Sequence, residues 1–315
     1  MKFKDYIWPI IGLCAVAISV WLLYRELRSI SLEDVLDSLY AIRAHHWLLA
    51  TAAALLAYSS LAGYDRIALL HLRRKISWLF IALCSFTTYA LSHNIGASVV
   101  SGAVVRYRAY SSQGMPGSEI AVLIAFCSFT FILGVIITSS IVLLMEPHIL
   151  MRFNEDLTPT ISIIIALLML AFVLLYVFGS WLQLRPLQIG KFRLEYPRLP
   201  VVTQQLIVAP LELIGAAGII YFALPEAGNP GFLIILGIFL VSFSAALISH
   251  APGGLGVLEL VFLTGLPDMH KADVLAALIV FRLLYLLIPF AISLFVVLVF
   301  EKSQFVLRWN NKQKK

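Results

Sequence analysis

Long apolar blocks separated by short polar linkers run the length of the chain. They cover approximately residues 7–24, 46–70, 78–105, 118–145, 160–181, 202–224, 231–267 and 273–300. Most are about 18–28 residues long, enough for a helix to cross the roughly 30 Å hydrocarbon core of a bilayer. The pattern predicts an all-α polytopic membrane protein forming one integral membrane domain over 1–315. Composition agrees: of 315 residues, 61% are hydrophobic and 13% charged, against roughly 45–50% and about 25% in soluble domains. A soluble enzyme, a disordered chain and a disulfide scaffold are excluded. The three cysteines, Cys14, Cys84 and Cys127, lie inside apolar blocks at no metal-ligand spacing and read as small buried hydrophobes. The first block precedes Arg25-Glu26-Leu27-Arg28 rather than a small-residue cleavage pattern, so it reads as a retained span.

The linkers set an orientation. His71–Lys75, Arg185–Arg198 and the tail over 301–315 are basic and are expected in the cytoplasm, as are both termini. The net charge of +6 belongs to these loops rather than to a nucleic-acid surface. The acidic stretches, Glu26 to Asp37, Glu146 to Asp156 and Glu226, belong outside. Ser31–Ile42 has helical apolar spacing with acids opposite and is expected to lie flat on the outer face.

Two blocks break the count of spans. Block 78–105 is basic at both ends and carries Ser92-His93-Asn94-Ile95-Gly96 inside. Block 231–267 is too long for one span and carries Ser249-His250-Ala251-Pro252-Gly253-Gly254-Leu255-Gly256. Proline and clustered glycine stop a helix, so both read as re-entrant helical hairpins, one entered from each side. Ser85-Phe86…Ser92-His93…Gly96 and Ser242-Phe243…Ser249-His250…Gly253 align without gaps. The expected architecture is therefore two inverted repeats, about 7–145 and about 160–300, with about six full spans and two re-entrant hairpins. Paired broken helices point to a binding site near the bilayer midplane.

Broken backbone at membrane depth must be satisfied by protein, water or ligand. The helix start after each break offers free N–H groups to an anion such as phosphate. The glycines at 253, 254 and 256 either admit that approach or make a tight packed turn. Ionisable residues inside apolar blocks each need a reason. Here they are Asp65, Arg66, His93, Glu212, His250, Glu259 and Arg282. Arg282 pairs with Glu259 or Glu212, or binds substrate. Asp65 and Arg66 sit either at the interface or in the site. Arg106 and Arg108 either anchor at headgroups or capture a lipid phosphate. Each histidine is either a satisfied buried imidazole or a titrating group that allows proton coupling. No HExxH, GxSxG, P-loop lysine motif or Cys/His cluster occurs, so neither an enzyme nor a metal or cofactor site is expected.

Ser101-Gly102…Val105-Arg106 with Gly114, and Pro252-Gly253-Gly254-Leu255-Gly256-Val257 followed by Glu259, resemble the membrane domain of the lysylphosphatidylglycerol synthase/flippase family. The likeness covers nearly the whole chain and is nearest to the stand-alone, YbhN-like inner-membrane members. In two-part members the membrane domain moves an aminoacylated phospholipid between leaflets and a separate soluble domain makes it. The chain ends at Lys315, just after the last block, so the resemblance implies the flippase part without synthase activity. It implies functional roles for Asp65, Arg106, Glu212 and Glu259. Together with His93, Asn94, His250, Gly253, Gly254, Gly256 and Arg282 these form the expected substrate-binding set. The expectation is a lipid flippase of the bacterial inner membrane acting on a phospholipid or related anionic-headgroup lipid. Coupling to protons and a homo-oligomer are left open. The rivals are a secondary transporter for a small anionic solute, an intramembrane lipid-modifying enzyme, for which the sequence shows no nucleophile or metal set, and a non-transporting scaffold of lipid synthesis.

Overall fold

The computed structural model describes residues 31–95, 98–183, 187–189, 192–194, 196–249 and 252–313. The predicted first span, Cys14 and His250 lie outside these. Helix α1, Leu32–Ala41, forms where the amphipathic element was expected. The Ser31 hydroxyl accepts from the amide of Asp34, whose carboxylate accepts from the amide of Ser31, a reciprocal cap. Val35 turns inward while Leu32 and Tyr40 stay exposed.

The remaining helices are α2 Ala44–His71, α3 Trp78–Ile95, α4 Ser98–Ser112, α5 Gly117–Met145, α6 Pro159–Trp181, α7 Leu199–Ala223, α8 Phe232–Ser249, α9 Val257–Gly265, α10 Lys271–Phe281 and α11 Ile288–Gln313. Among the described residues, six stretches are long and apolar enough to cross a membrane: 44–71, 117–145, 159–181, 199–223, 232–249 and 271–300. Five coincide with predicted spans, and the sixth, α8, is the first arm of the second broken block. The chain is an all-helical membrane protein apart from a short hairpin in the basic linker. There, strands β1 Leu187–Ile189 and β2 Phe192–Leu194 pair antiparallel.

Three boundaries depart from the sequence pattern. The first broken block runs on to Ser112, and its first arm stays helical through most of the polar interruption, to Ile95. Ser92 and Asn94 are helical, and their side chains find partners within the helix by donating back to the carbonyls of Thr88 and Ala90, at 2.6 and 2.8 Å. The last span is interrupted by a π-helical stretch, Arg282–Leu287. After it α11 continues through the expected tail to Gln313.

Helices α2 and α7 form the most extensive contact in the fold. Small residues permit it, as expected where apolar packing replaces the hydrophobic effect. A Cβ on Gly215 would lie 2.7 Å from the backbone nitrogen of Ala57 and 2.8 Å from the carbonyl oxygen of Ala53. One on Gly134 would lie 2.8 Å from the carbonyl oxygen of Ala209, so α5 approaches α7 equally closely. A buried relay ties the same region together. Tyr176 on α6 donates to Gln205 on α7, which donates to Thr130 on α5, both at 2.7 Å.

Contacts at the helix ends define two faces. Arg74, before α3, bridges Glu119, at the start of α5, at 2.6 Å, so the α3–α4 pair starts and finishes on one face. His46 at the start of α2 meets the carbonyl of Phe222 at the end of α7 at 2.7 Å, which marks the opposite face. There a Cβ on Gly228, before α8, would lie 3.6 Å from the carbonyl oxygen of Asp268, after α9. Arg152 donates to the carbonyl of Gly265 at 3.0 Å. The α8–α9 pair thus starts and finishes on that second face.

Replacing Gly215 with valine is expected to lower the thermal stability of the detergent-solubilised protein by about 1–3 kcal/mol, the usual cost of overpacking. Gly117→Ala meets only a Tyr107 ring carbon at 3.4 Å and should stay within about 0.5 kcal/mol of wild type. Thermal unfolding followed by circular dichroism checks both.

Candidate functional site

The first polar cluster joins α2, α4 and α5. Asp65 on α2 is fully buried, and Arg106 on α4 donates to both its oxygens, from Nη2 at 2.6 Å and from Nε at 3.3 Å. Tyr110, one turn beyond Arg106, adds its hydroxyl at 2.9 Å, and the thiol of Cys127 on α5 stands 3.5 Å away. The guanidinium lies 4.8 Å from the centre of the Tyr89 ring, a cation–π contact. Gly102 lets α4 reach this position: a Cβ there would be 2.7 Å from the Ser92 hydroxyl on α3. The glycine and arginine of the Ser-Gly…Arg motif are thus the crossing point and the ion-pair partner. Asp65 and Arg106 are both buried inside the protein, where each supplies the other's counter-charge. Arg66, by contrast, is exposed and sits 5.5 Å above the ring of Trp78.

A second cluster is built on the glycine turn between α8 and α9. Gly253, Gly254 and Gly256 have φ of 59°, 65° and 79°, left-handed values that disfavour any side chain. The turn aims the start of α9 so that the Gly256 amide donates to Glu259 at 2.9 Å. Arg282 closes the arrangement. Its Nε and Nη2 donate to Glu259 at 2.7 and 2.5 Å, and its Nη1 to the carbonyl of Gly253 at 2.9 Å. The helix start expected to receive an anion therefore holds one already, the protein's own carboxylate. Of the two acids considered as partners for Arg282, Glu259 takes it.

Glu212 pairs differently. It is buried on α7, accepts from the Tyr285 hydroxyl at 2.6 Å, and its other oxygen has no partner among the described residues. Tyr285 belongs to the π-helical stretch, and Tyr58 donates to its carbonyl at 2.9 Å. Asn94, at the end of α3, donates to the next carbonyl, Leu286, at 3.1 Å. A π-turn leaves carbonyls without their usual helical partner and is frequent at functional sites. Here two side chains from other helices occupy adjacent ones. His93 stacks on Tyr285 at 5.3 Å, with Tyr89 at 5.8 Å and the Phe243 edge at 6.2 Å. Its Nδ1 is buried with no hydrogen-bond partner among the described residues.

The predicted residues therefore fall into two ionic clusters joined by a string of rings, Tyr89, His93 and Tyr285. Helix α3 touches the Pro252–Gly254 turn, and Asn94 near its end reaches the Leu286 carbonyl, so the last turn of α3 lies close to the glycine break of the other pair. Sequence reasoning missed the tyrosines. Tyr58, Tyr89 and Tyr285 stand inside apolar blocks rather than at their ends, where interfacial rings belong, and that placement was the available signal. Cys84 and Cys127 are buried as expected, but Cys127 also touches Asp65.

The chain is similar in sequence to known membrane proteins. Residues 11–293 match the family model described as the lysylphosphatidylglycerol synthase TM region. The uncharacterized protein slr0712 of Synechocystis sp. is 32% identical over 283 residues, 89% of this chain and 87% of that protein. The inner membrane protein YbhN of Escherichia coli K12 is 29% identical over 273 residues, 84% of this chain and 83% of that protein. The phosphatidylglycerol lysyltransferase of Staphylococcus haemolyticus is 24% identical over 277 residues, which cover 86% of this chain and 31% of that enzyme. With the family model spanning most of its length, the chain belongs to the lysylphosphatidylglycerol synthase transmembrane-region family.

Proposed function

We propose that this protein moves phospholipid between the leaflets of a bacterial inner membrane. Its two halves, about 7–145 and 160–300, are inverted repeats, each with one re-entrant helix pair, and both termini and the basic tail over 301–315 are cytoplasmic. The observation that carries the reading is the approach of the last turn of α3 to the glycine break of the other pair, the two pairs starting from opposite faces. The face bearing Arg73, Arg74 and Lys75 is the cytoplasmic one by charge. The relatives add support. YbhN is named an inner membrane protein, and a family that includes phosphatidylglycerol lysyltransferases handles a lipid.

Glu259 is the placeholder for substrate. A phosphate has the same charge sign and the same acceptor geometry toward an arginine fork. Displacing Glu259 would give a lipid phosphate the Nε and Nη2 of Arg282 and the amide of Gly256, with no new donor required. Glu212, which has no cation among its partners in the described residues, carries the proton where movement is coupled to one. A second reading, a non-transporting scaffold, draws on one observation: Asp65–Arg106 and Glu259–Arg282 are paired internally.

Purified protein in proteoliposomes with headgroup-labelled phospholipids tests the reading. Movement above protein-free vesicles is expected, and its absence with folded, inserted protein favours the scaffold. Glu259→Gln and Arg282→Ala should each cut the rate by at least about tenfold, the effect of about 1.4 kcal/mol on a barrier. Full activity in both ends the placeholder mechanism. Glu212→Gln should remove any stimulation by a pH gradient while leaving ungraded movement in place. The Asp65–Arg106 pair should behave as structure. Asp65→Asn or Arg106→Gln alone is expected to cost about 3–5 kcal/mol of stability by stranding a buried charge, and the two together should cost less than their sum in a thermal-unfolding cycle.

A further inference from the structure

A cavity of about 300 Å³ opens on the face opposite the basic loops, between the end of α1, the start of α2, the turn after α7 and the first turn of α10. Its lining includes Arg43, His46, Glu226 and Asp273. Four arginines elsewhere among the described residues sit in ion pairs: Arg74 meets Glu119, Arg106 meets Asp65, Arg152 meets Asp268, and Arg282 meets Glu259. Arg43, Glu226 and Asp273 line the same small space, yet among the described residues none has an ion pair within 4.0 Å. His46 is fixed by the Phe222 carbonyl, so its ring is oriented rather than free.

We infer that this cavity is a binding site for a zwitterionic phospholipid headgroup, one that carries an ammonium beside its phosphate. Among the described lining residues one arginine stands with two carboxylates, a balance that disfavours a headgroup that is only anionic. An aminophosphate satisfies both signs, with its phosphate on Arg43 and its ammonium between Asp273 and Glu226. The roof of the site is the end of α1, which packs on α10. Helix α1 exposes Leu32 and Tyr40, the surface of a helix lying in the interfacial layer. A headgroup in the cavity would therefore keep its acyl chains in the adjoining leaflet. The inference rests on the reading that the chain handles phospholipid, and it assigns the outer face a headgroup preference that the central clusters do not supply.

Binding to the purified full-length protein in detergent separates the outcomes. The probes are dihexanoyl phosphatidylethanolamine, dihexanoyl phosphatidylglycerol and free phosphoethanolamine, followed by calorimetry. The ethanolamine lipid should bind about tenfold tighter than the glycerol lipid, and Arg43→Gln and Asp273→Asn should each reduce that ratio to about two or less. Glu259→Gln should leave it unchanged. Equal binding of the two lipids, or a preference untouched by both cavity variants, overturns the site. Free phosphoethanolamine binding as tightly as its lipid overturns the assignment to a membrane lipid. Lipid movement in proteoliposomes without this preference removes the cavity site and leaves the flippase reading standing. The preference without movement does the reverse.

Discussion

The contact on which the centre of this fold depends is the grip of Arg282 on the glycine turn. A helix broken inside a membrane exposes amides and carbonyls that no water can reach, at several kcal/mol each. Here one side chain answers most of that demand. Arg282 holds the Gly253 carbonyl and Glu259 together, and Glu259 in turn takes the Gly256 amide. Two charges that could not be buried separately are buried as a pair, and the pair also satisfies the break. The left-handed glycines are the geometric condition for this, since only they place the turn's carbonyl and amide toward the same two side chains.

The helix arm that leads to the other break is anchored on the same segment. Asn94 reaches across to the Leu286 carbonyl in the π-helical stretch. That stretch begins at Arg282, the residue that organises the glycine turn. One irregular segment thus serves both helix pairs, by a side chain on one and by a carbonyl on the other. Tyr285, in the same segment, carries Glu212 on its hydroxyl and His93 on its ring. A shift of register there would be felt in both helix pairs and at Glu212 together.

Much of this was legible in the sequence, and the reasons differ by feature. The spans were readable because an uninterrupted apolar run of this length has few uses outside a bilayer. The glycine turn was readable because Pro252 and three glycines have no other role in a helix. Asp65, Arg106, Glu212, Glu259 and Arg282 stood out because charge in such runs is expensive. Their pairing did not stand out, since Asp65 and Arg106 are brought together by the folding back of α4 on α3, a tertiary event with no local trace. The helicity of the polar interruption in α3 did not stand out for a related reason. Ser92 and Asn94 look like a break by composition, but in the fold they bond to their own helix. The π-helical stretch left no periodic signal, and the tyrosines were counted with the apolar residues that surround them.

The two ion pairs have the same partners in kind and different surroundings, and the difference separates their roles. Asp65 accepts from Arg106 and Tyr110, stands beside Cys127, and has 0% of its side chain exposed. Displacing its partner would leave a carboxylate with no route to water, so this pair is a fixture that holds α4 against α2. The Glu259–Arg282 pair keeps 11% and 16% of its side chains exposed and rests on a glycine turn rather than between two packed helices. An anion that reached Arg282 could take the place of Glu259 without stranding a deeply buried charge. Buried pairing therefore counts against transport at the first cluster only. At the second, under the proposed mechanism, Glu259 supplies the counter-charge that an arginine in a membrane needs until a lipid phosphate replaces it.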